Sequence, residues 1–216
     1  MKSHFQILGK ILDEKIIAIV RLDSAEHFIE VAKALKAGGI SVIEFTLTTP
    51  GALDMLKEVS AHFGEDALIG AGTILDPETA RAAILAGAEF IVTPTFNPAT
   101  IEICKRYGKP IAAGAMTPTE MLSAWQAGAD LIKVFPVSNI GGADYIKAVL
   151  APLPQLRLVP TGGVNAENAA QYFKAGAVVI AVGGNLVDKK AVSRSDWTAI
   201  TAEAQRLVAA VKFACA

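Results

Sequence analysis

Two charged residues of this sequence stand inside apolar runs, where an isolated charge is costly. Lys133 lies in LIKVFP and Glu44 lies in VIEFTL. A buried ammonium must either pair with an acid or work as a desolvated amine nucleophile. Glu44 can likewise shuttle protons beside Lys133, or simply neutralise that lysine or Arg21. The residues alone leave a catalytic and a structural role open for both.

Further residues are suited to holding an anionic ligand. Arg21 closes the run IIAIVR, either as an anion-binding group or as a solvated charge at the end of a strand. Gly162 and Gly163 follow the seventh apolar run, and Gly183 and Gly184 follow the eighth. One such pair is more often a tight turn, but barrel enzymes frequently bind phosphate with backbone N–H groups after these two strands. Both pairs together favour a phosphate site, assisted by the amino terminus of a helix that is expected to follow Asn185.

Eight apolar runs, each followed by a helical pattern, must position these groups. They are IIAIV from Ile16, VIEFTL from Val42, LIGAGTI from Leu68, FIVTP from Phe90, PIAAGA from Pro110, LIKVFP from Leu131, RLVPTGG from Arg157 and VVIAVGG from Val178. Helix starts are marked by an N-cap residue before proline at 76–77, 97–98 and 117–118, and helix ends by glycines within 37–39, 86–88, 127–129 and 175–177.

Strand then helix, repeated eight times without a hairpin signal, predicts a parallel sheet closed into one (β/α)8 TIM barrel over residues 1–216. A short amphipathic helix precedes the first strand. The alternative architecture is a doubly wound open sheet, which usually carries GxGxxG in its first strand-to-helix turn. Residues 20–24 have no such motif.

Composition limits the classes of partner. A net charge of -1 gives no field for nucleic acid or anionic lipid, so an anionic ligand must be held locally. The uncharged stretch 175–187 holds 13 residues, short of the roughly 20 that cross a bilayer, so no membrane span is predicted. With two cysteines, Cys104 and Cys215, there is no disulfide framework or metal-type spacing, which indicates a reducing cytoplasm.

Five motifs in order, IEFTLTTP, GAGTI, IVTP, LIKVFP and VPTGGV followed by VGGN, resemble the class I aldolases that cleave 2-keto-3-deoxy-6-phosphogluconate. The family also includes enzymes acting on 4-hydroxy-2-oxoglutarate. The resemblance implies a 2-keto acid substrate, a homotrimer, and neither metal nor cofactor. It implies Lys133 as the Schiff-base lysine, Glu44 as the acid/base, Arg21, Thr73, Pro94 and Thr161 as substrate contacts, and Gly162, Gly163, Gly183, Gly184 and Asn185 as the phosphate site.

Two departures from the family pattern fall near the expected phosphate end. Thr48 stands where some members have arginine, and Asn185 where some have serine. These changes leave 4-hydroxy-2-oxoglutarate open as the substrate. Two further alternatives keep the barrel: an isomerase or synthase without Schiff-base chemistry, which leaves Lys133 unexplained, and a non-catalytic barrel that binds phosphometabolites.

Overall fold

Strands and helices alternate along residues 2–215, the part of the chain that the computed structural model describes. The strands are β1 Ile16–Val20, β2 Val42–Thr46, β3 Leu68–Gly72, β4 Phe90–Val92, β5 Ile111–Ala115, β6 Leu131–Val134, β7 Leu158–Pro160 and β8 Ile180–Val182. The helices are α1 His4–Glu14, α2 Phe28–Ala37, α3 Ala52–Phe63, α4 Pro77–Leu85, α5 Pro98–Arg106, α6 Pro118–Gln126, α7 Gly142–Leu150, α8 Ala169–Lys174, α9 Lys189–Ser193 and α10 Trp197–Cys215, with a 3-10 helix at Val137–Ile140. None of these helices is both long and apolar enough to cross a membrane.

The sheet is parallel throughout and nearly closed. Its strand order is β7-β6-β5-β4-β3-β2-β1-β8, and a parallel bridge between Thr161 and Ala181 brings β7 against β8. The predicted (β/α)8 barrel with a short N-terminal helix is therefore confirmed. The strands are shorter than the apolar runs, which leaves Thr73, Pro94 and Gly183 in the loops that follow β3, β4 and β8.

Local helix signals act as the sequence predicts. The Asp76 carboxylate accepts the N–H of Thr79 at 2.6 Å, and the Asn97 side chain accepts from two N–H groups at the start of α5. Thr117 and Glu120 form a capping box at α6. Each cap satisfies donors that the first helical turn leaves free, and such caps contribute about 1 kcal/mol each.

Apolar side chains form two layers. The larger cluster lies between the strands and the surrounding helices, and it includes Ile43, Phe45, Ile132 and Val134. The smaller fills the barrel interior with Ile17, Ile19, Val42, Leu68, Phe90, Val92, Ala112, Leu131, Val159, Val179 and Ala181. Because side chains alternate along a strand, residue 44 of β2 and residue 133 of β6 face the interior as well.

Helix α1 closes the end of the barrel at which the strands begin. Its buried Ile7, Leu8 and Ile11 join the interior cluster. The Glu14 carboxylate at its last turn accepts the backbone N–H and the hydroxyl of Ser41, both at 2.6 Å. With that end filled, the carboxyl ends of the strands form the face on which barrel active sites lie.

Candidate active site

Lys133 projects into the barrel from the middle of β6. In the strand register it lies between Gly114 of β5 and Val159 of β7, and it is only 6% exposed. Its Nζ lies 5.4 Å from the centre of the Phe135 ring. Within residues 2–215 it forms no ion pair, so the structure does not support the alternative that Glu44 neutralises it in a direct salt bridge.

Glu44 projects inward from β2, level with Ile19 of β1 and Gly70 of β3. It is 1% exposed, and its Oε2 has no hydrogen-bond partner within residues 2–215. Burial raises the pKa of this carboxyl above its ordinary value of 4.5, and the nearby charges of Lys133 and Arg21 oppose that rise. A carboxyl in this setting can both release and recover a proton, as a general acid/base must.

Gly72 of β3 makes the room that Glu44 needs, and Gly70 makes room for the Phe90 ring. A Cβ on Gly72 would lie 2.0 Å from Glu44 Oε1, and one on Gly70 would lie 2.3 Å from the Phe90 ring. The sequence pattern assigns no role to either glycine. Glycine inside a strand often marks a place where another group approaches the backbone closely, but the strand sequence alone does not identify that group.

Arg21 lies directly after β1 and is exposed, while its charge acts on the Glu44 carboxyl. Leu22, the residue after Arg21, is held by two hydrogen bonds to the hydroxyl of the buried Thr49. This hydroxyl accepts the N–H of Leu22 at 3.3 Å and donates to the carbonyl of Leu22 at 3.0 Å. The structure therefore places Arg21 on the active face, and Thr49, which the sequence pattern does not single out, fixes the backbone beside it.

The three other predicted substrate contacts lie at the same end of the barrel. Thr73 directly follows β3, and Pro94 comes two residues after β4; both are partly buried. Thr161 is 3% exposed, and its hydroxyl donates to the carbonyl of Val159 at 3.2 Å. Thr161 also forms the bridge to Ala181, so its backbone holds the closing seam of the barrel.

The two glycine pairs lie on either side of that seam. The N–H groups of Gly163, Gly183 and Gly184 have no protein acceptor within residues 2–215, and Gly162 directly follows the bridge between Thr161 and Ala181. The Asn185 carboxamide donates to the carbonyl of Val164 at 3.0 Å and so ties the β8 loop to the β7 loop. Free backbone donors around an open seam are suited to an anion.

One detail of this site differs from the sequence prediction. The helix expected directly after Asn185 begins only at Lys189, after a turn in which the N–H groups of Leu186 and Val187 both donate to the carbonyl of Gly183. The Asp188 carboxylate then caps that five-residue helix through the N–H of Lys190. The helix terminus is thus occupied by a carboxylate, and loop N–H groups remain as the candidate donors.

No group of three or more His, Cys, Asp and Glu side chains in residues 2–215 is arranged to hold a metal ion. The chemistry that the site offers is that of an inward amine, a desolvated carboxyl and a cation at one end of a barrel. An amine in such a pocket can form a covalent imine with a carbonyl compound, and the carboxyl can move the protons that this requires.

Known proteins that resemble this chain are named as aldolases. A family model for KDPG and KHG aldolases matches residues 7–203. The chain belongs to that aldolase family. The 2-dehydro-3-deoxy-phosphogluconate aldolase of Haemophilus influenzae is 34% identical over 195 residues, which cover 90% of this chain and 92% of that protein. The KHG/KDPG aldolase of Escherichia coli strain K12 is 30% identical over 91% of this chain and 92% of its own length.

A solved aldolase extends the likeness to three dimensions. The KDPG aldolase of Legionella pneumophila, determined with pyruvate captured as a covalent carbinolamine, matches with a TM-score of 0.86 and 28% identity over 93% of this chain and 97% of that chain. Family membership makes this protein an aldolase, a carbon–carbon lyase, and confirms the predicted family and enzyme class. The non-catalytic alternative is thereby set aside.

Proposed function

We propose that this aldolase cleaves 2-keto-3-deoxy-6-phosphogluconate to pyruvate and glyceraldehyde 3-phosphate through a Schiff base on Lys133. The observation that carries the proposal is the Lys133 amine, 6% exposed inside the barrel and free of any ion pair in residues 2–215, near a buried Glu44 whose pKa is raised. The names of the relatives, and the pyruvate carbinolamine captured in the Legionella pneumophila aldolase, support it.

The reaction needs an electron sink, because breaking the bond between carbons 3 and 4 leaves an electron pair on carbon 3. The free amine of Lys133 attacks the carbon 2 ketone, and loss of water from the carbinolamine gives an iminium that accepts this pair. Glu44, through a water molecule, assists that dehydration and then takes the proton of the carbon 4 hydroxyl. The aldehyde leaves, and an enamine remains on Lys133.

Completion of the cycle returns the proton and the amine. Carbon 3 of the enamine is protonated, and water hydrolyses the resulting iminium to pyruvate and free Lys133. We assign Arg21 and Thr73 to the substrate carboxylate, with Pro94 and Thr161 lining the pyruvyl pocket. Holding the reacting groups in place throughout removes most of the entropy cost of bringing them together.

The far end of the substrate is assigned to the seam of the barrel. Gly162, Gly163, Gly183 and Gly184 would present N–H groups to the phosphate, and Asn185 would hold the two loops at a fixed separation. The loops at 161–168 and 183–188 contain neither lysine nor arginine, so the grip on phosphate lacks a bidentate cation. That lack favours a second candidate, cleavage of 4-hydroxy-2-oxoglutarate to pyruvate and glyoxylate.

Trapping with pyruvate and borohydride tests the nucleophile. We expect irreversible inactivation with one reduced pyruvyl group per chain, located on Lys133 by peptide mapping. Lys133→Met is the matched control and should take up no label. The chain supplies an internal comparison in Lys109, the other buried lysine among residues 2–215, at 9% exposure. An adduct on Lys109, or none while the enzyme is active, would falsify the assignment.

Release of pyruvate from matched keto acids separates the two substrates. The first proposal expects a higher kcat/KM for the phosphorylated 2-keto-3-deoxy acid than for its dephospho form and for 4-hydroxy-2-oxoglutarate. A preference for 4-hydroxy-2-oxoglutarate would establish the second candidate. Pyruvate would be counted in a coupled assay with the same enzyme preparation throughout.

We also propose that the protein is a homotrimer. Five of the eight exposed large apolar side chains described in residues 2–215 lie on α4, α5, α6 and the adjoining loops, and these five support burial against a second copy: Leu75, Leu85, Tyr107, Met116 and Trp125. Sedimentation equilibrium should then give three times the chain mass of 22.6 kDa. The cytoplasmic location stays a prediction.

A further inference from the structure

The hydrogen-bond ladder between β4 and β5 changes its acceptor at Thr93. Before that point it is regular, since the N–H of Ile91 donates to Pro110 and the N–H of Thr93 donates to Ala112 at 3.1 Å. A regular parallel ladder would continue with the N–H of Gly114 donating to the carbonyl of Thr93. Instead, Gly114 donates to the Thr93 hydroxyl at 3.0 Å. A side chain therefore stands in for the main-chain acceptor.

The same hydroxyl fixes the chain on the other side of Pro94. Thr93 Oγ1 donates to the carbonyl of Thr95 at 2.8 Å, and Thr93 is only 2% exposed. Pro94 has no N–H with which to hold itself in the ladder. One buried hydroxyl thus bonds to the backbone of both Gly114 and Thr95, and the residues around Pro94 bend away from the direction of β4.

The bend carries Pro94 across the face of Gly114. A Cβ on Gly114 would lie 2.1 Å from the carbonyl carbon of Pro94 and 2.3 Å from its oxygen, so only glycine leaves room for this crossing. Gly114 is also the register partner of Lys133 on the next strand. The crossing therefore places the Pro94 backbone against the residue that adjoins Lys133.

We infer that Thr93 is a positioning residue for Lys133, because its hydroxyl replaces the backbone acceptor and so holds Pro94 as a fixed wall beside the amine. Thr93 itself does not touch the substrate. The inference rests on the proposed function, since it concerns how the keto acid is aligned for attack by Lys133. A displacement of about 1 Å at such a wall costs roughly 100-fold in rate.

Removal of the hydroxyl tests this role. In Thr93→Val, exhaustive labelling with pyruvate and borohydride counts the competent sites, and the initial labelling rate is then expressed per site. We expect the per-site rate, and kcat/KM for aldol cleavage, to fall roughly 10- to 100-fold. Thr93→Ser keeps the hydroxyl and should stay within about threefold of wild type on the same scale. A merely structural role would lower the number of sites and leave the rate per site unchanged.

Thr100 supplies a matched control on the neighbouring α5. It is also fully buried, but its hydroxyl has no hydrogen-bond partner within residues 2–215. Thr100→Val therefore makes the same chemical change without loss of a bond, and its per-site rate should equal that of wild type. A Thr93→Val rate equal to that of Thr100→Val would overturn the inference.

Two further outcomes keep the test decisive. If Thr93→Val does not fold, Thr93→Ser and Thr93→Ala are compared, since they differ only in the hydroxyl; equal per-site rates would reject the positioning role. If wild type gives no adduct on Lys133, the proposed nucleophile fails and this inference fails with it. A normal wild-type adduct without any effect at Thr93 rejects the inference alone.

Discussion

Glu44 Oε1 occupies the space in which a side chain on Gly72 would begin, for a Cβ there would lie 2.0 Å from that oxygen and 2.7 Å from Cδ. The two residues belong to adjacent strands, and the close approach holds the carboxylate against the backbone of β3. The position of the carboxyl group thus depends on the absence of an atom 28 residues further along the chain.

Gly72→Ala should displace the Glu44 carboxylate and slow turnover roughly 100-fold, because the added methyl group cannot share its space. Overpacking of this kind costs about 1 to 3 kcal/mol of stability, so the variant should still fold. Steady-state rates and thermal melts would be compared with Gly9→Ala, where an added Cβ meets nothing within 4 Å. Equal turnover in the two variants would contradict the proposal that Gly72 sets the position of the Glu44 carboxylate.

Glu44→Gln should retain the fold and the trapped adduct on Lys133 while turnover falls by roughly 10²- to 10⁴-fold, as on loss of a general acid/base. Glutamine preserves the shape of the side chain but cannot accept the proton of the carbon 4 hydroxyl. The measurement is kcat beside the stoichiometry of borohydride labelling. Turnover at the wild-type rate would move the proton transfer to another group.

The same substitution should change how stability depends on pH. Burial raises the pKa of Glu44 above 4.5, so the folded chain binds this proton more tightly than the unfolded chain does. That contribution to stability is fully present below about pH 4.5 and is lost as the pH rises through the raised folded value. Glu44→Gln lacks this titration. As the pH rises from 4.5, the free energy of unfolding of the variant should therefore increase relative to that of wild type. Urea unfolding of both proteins over a pH series measures this, and parallel curves would refute it.

Thr100→Val should stabilise the protein by on the order of 1 kcal/mol, because it removes a buried hydroxyl without a partner in residues 2–215. Threonine and valine have similar helix propensities, so α5 itself should be little affected. The free energy of unfolding from urea titration is the measurement. A destabilised variant would indicate that this hydroxyl has a partner, such as a buried water molecule.

The contrast between Lys133 and Gly72 shows what the sequence can predict. A charge in an apolar strand is costly, so the sequence alone singled out Lys133 and Glu44; that both face the interior follows from strand alternation on the observed barrel. The partner of Gly72 could not be predicted, because it depends on the register between two strands. The same holds for the hydrogen bond from Gly114 to Thr93, which joins residues of neighbouring strands.

The turns that follow the strands also could not be predicted from the sequence. The sequence favoured a helix directly after Asn185, but the N–H groups of Leu186 and Val187 both turn back to Gly183, and the helix begins only at Lys189. Competition between a turn and a helical start is decided by a few hydrogen bonds of about 1 kcal/mol each. Such small differences are not visible in the residue pattern.

Gly184 offers a test of the phosphate site that spares the fold. An added Cβ there meets nothing within 4 Å, whereas Gly163 has φ +77° and a Cβ on it would lie 2.7 Å from Ser138. Gly184→Val should therefore fold normally and place its methyl groups over the open seam, where they would shield the N–H donors. A charge-assisted hydrogen bond contributes about 1.5 to 3 kcal/mol, so each bond lost should reduce the phosphate preference by roughly 10- to 100-fold.

The measurement is kcat/KM for matched phospho and dephospho substrates in wild type and in Gly184→Val, with pyruvate labelling of Lys133 as the internal control. We expect the preference to fall while the labelling persists, because the proposal assigns the Lys133 amine and the glycine N–H groups to opposite ends of the substrate. An unchanged preference would remove Gly184 from the phosphate site. Equal values already in wild type would instead indicate a short dicarboxylate such as 4-hydroxy-2-oxoglutarate, whose second carboxylate would then take the place assigned to the phosphate.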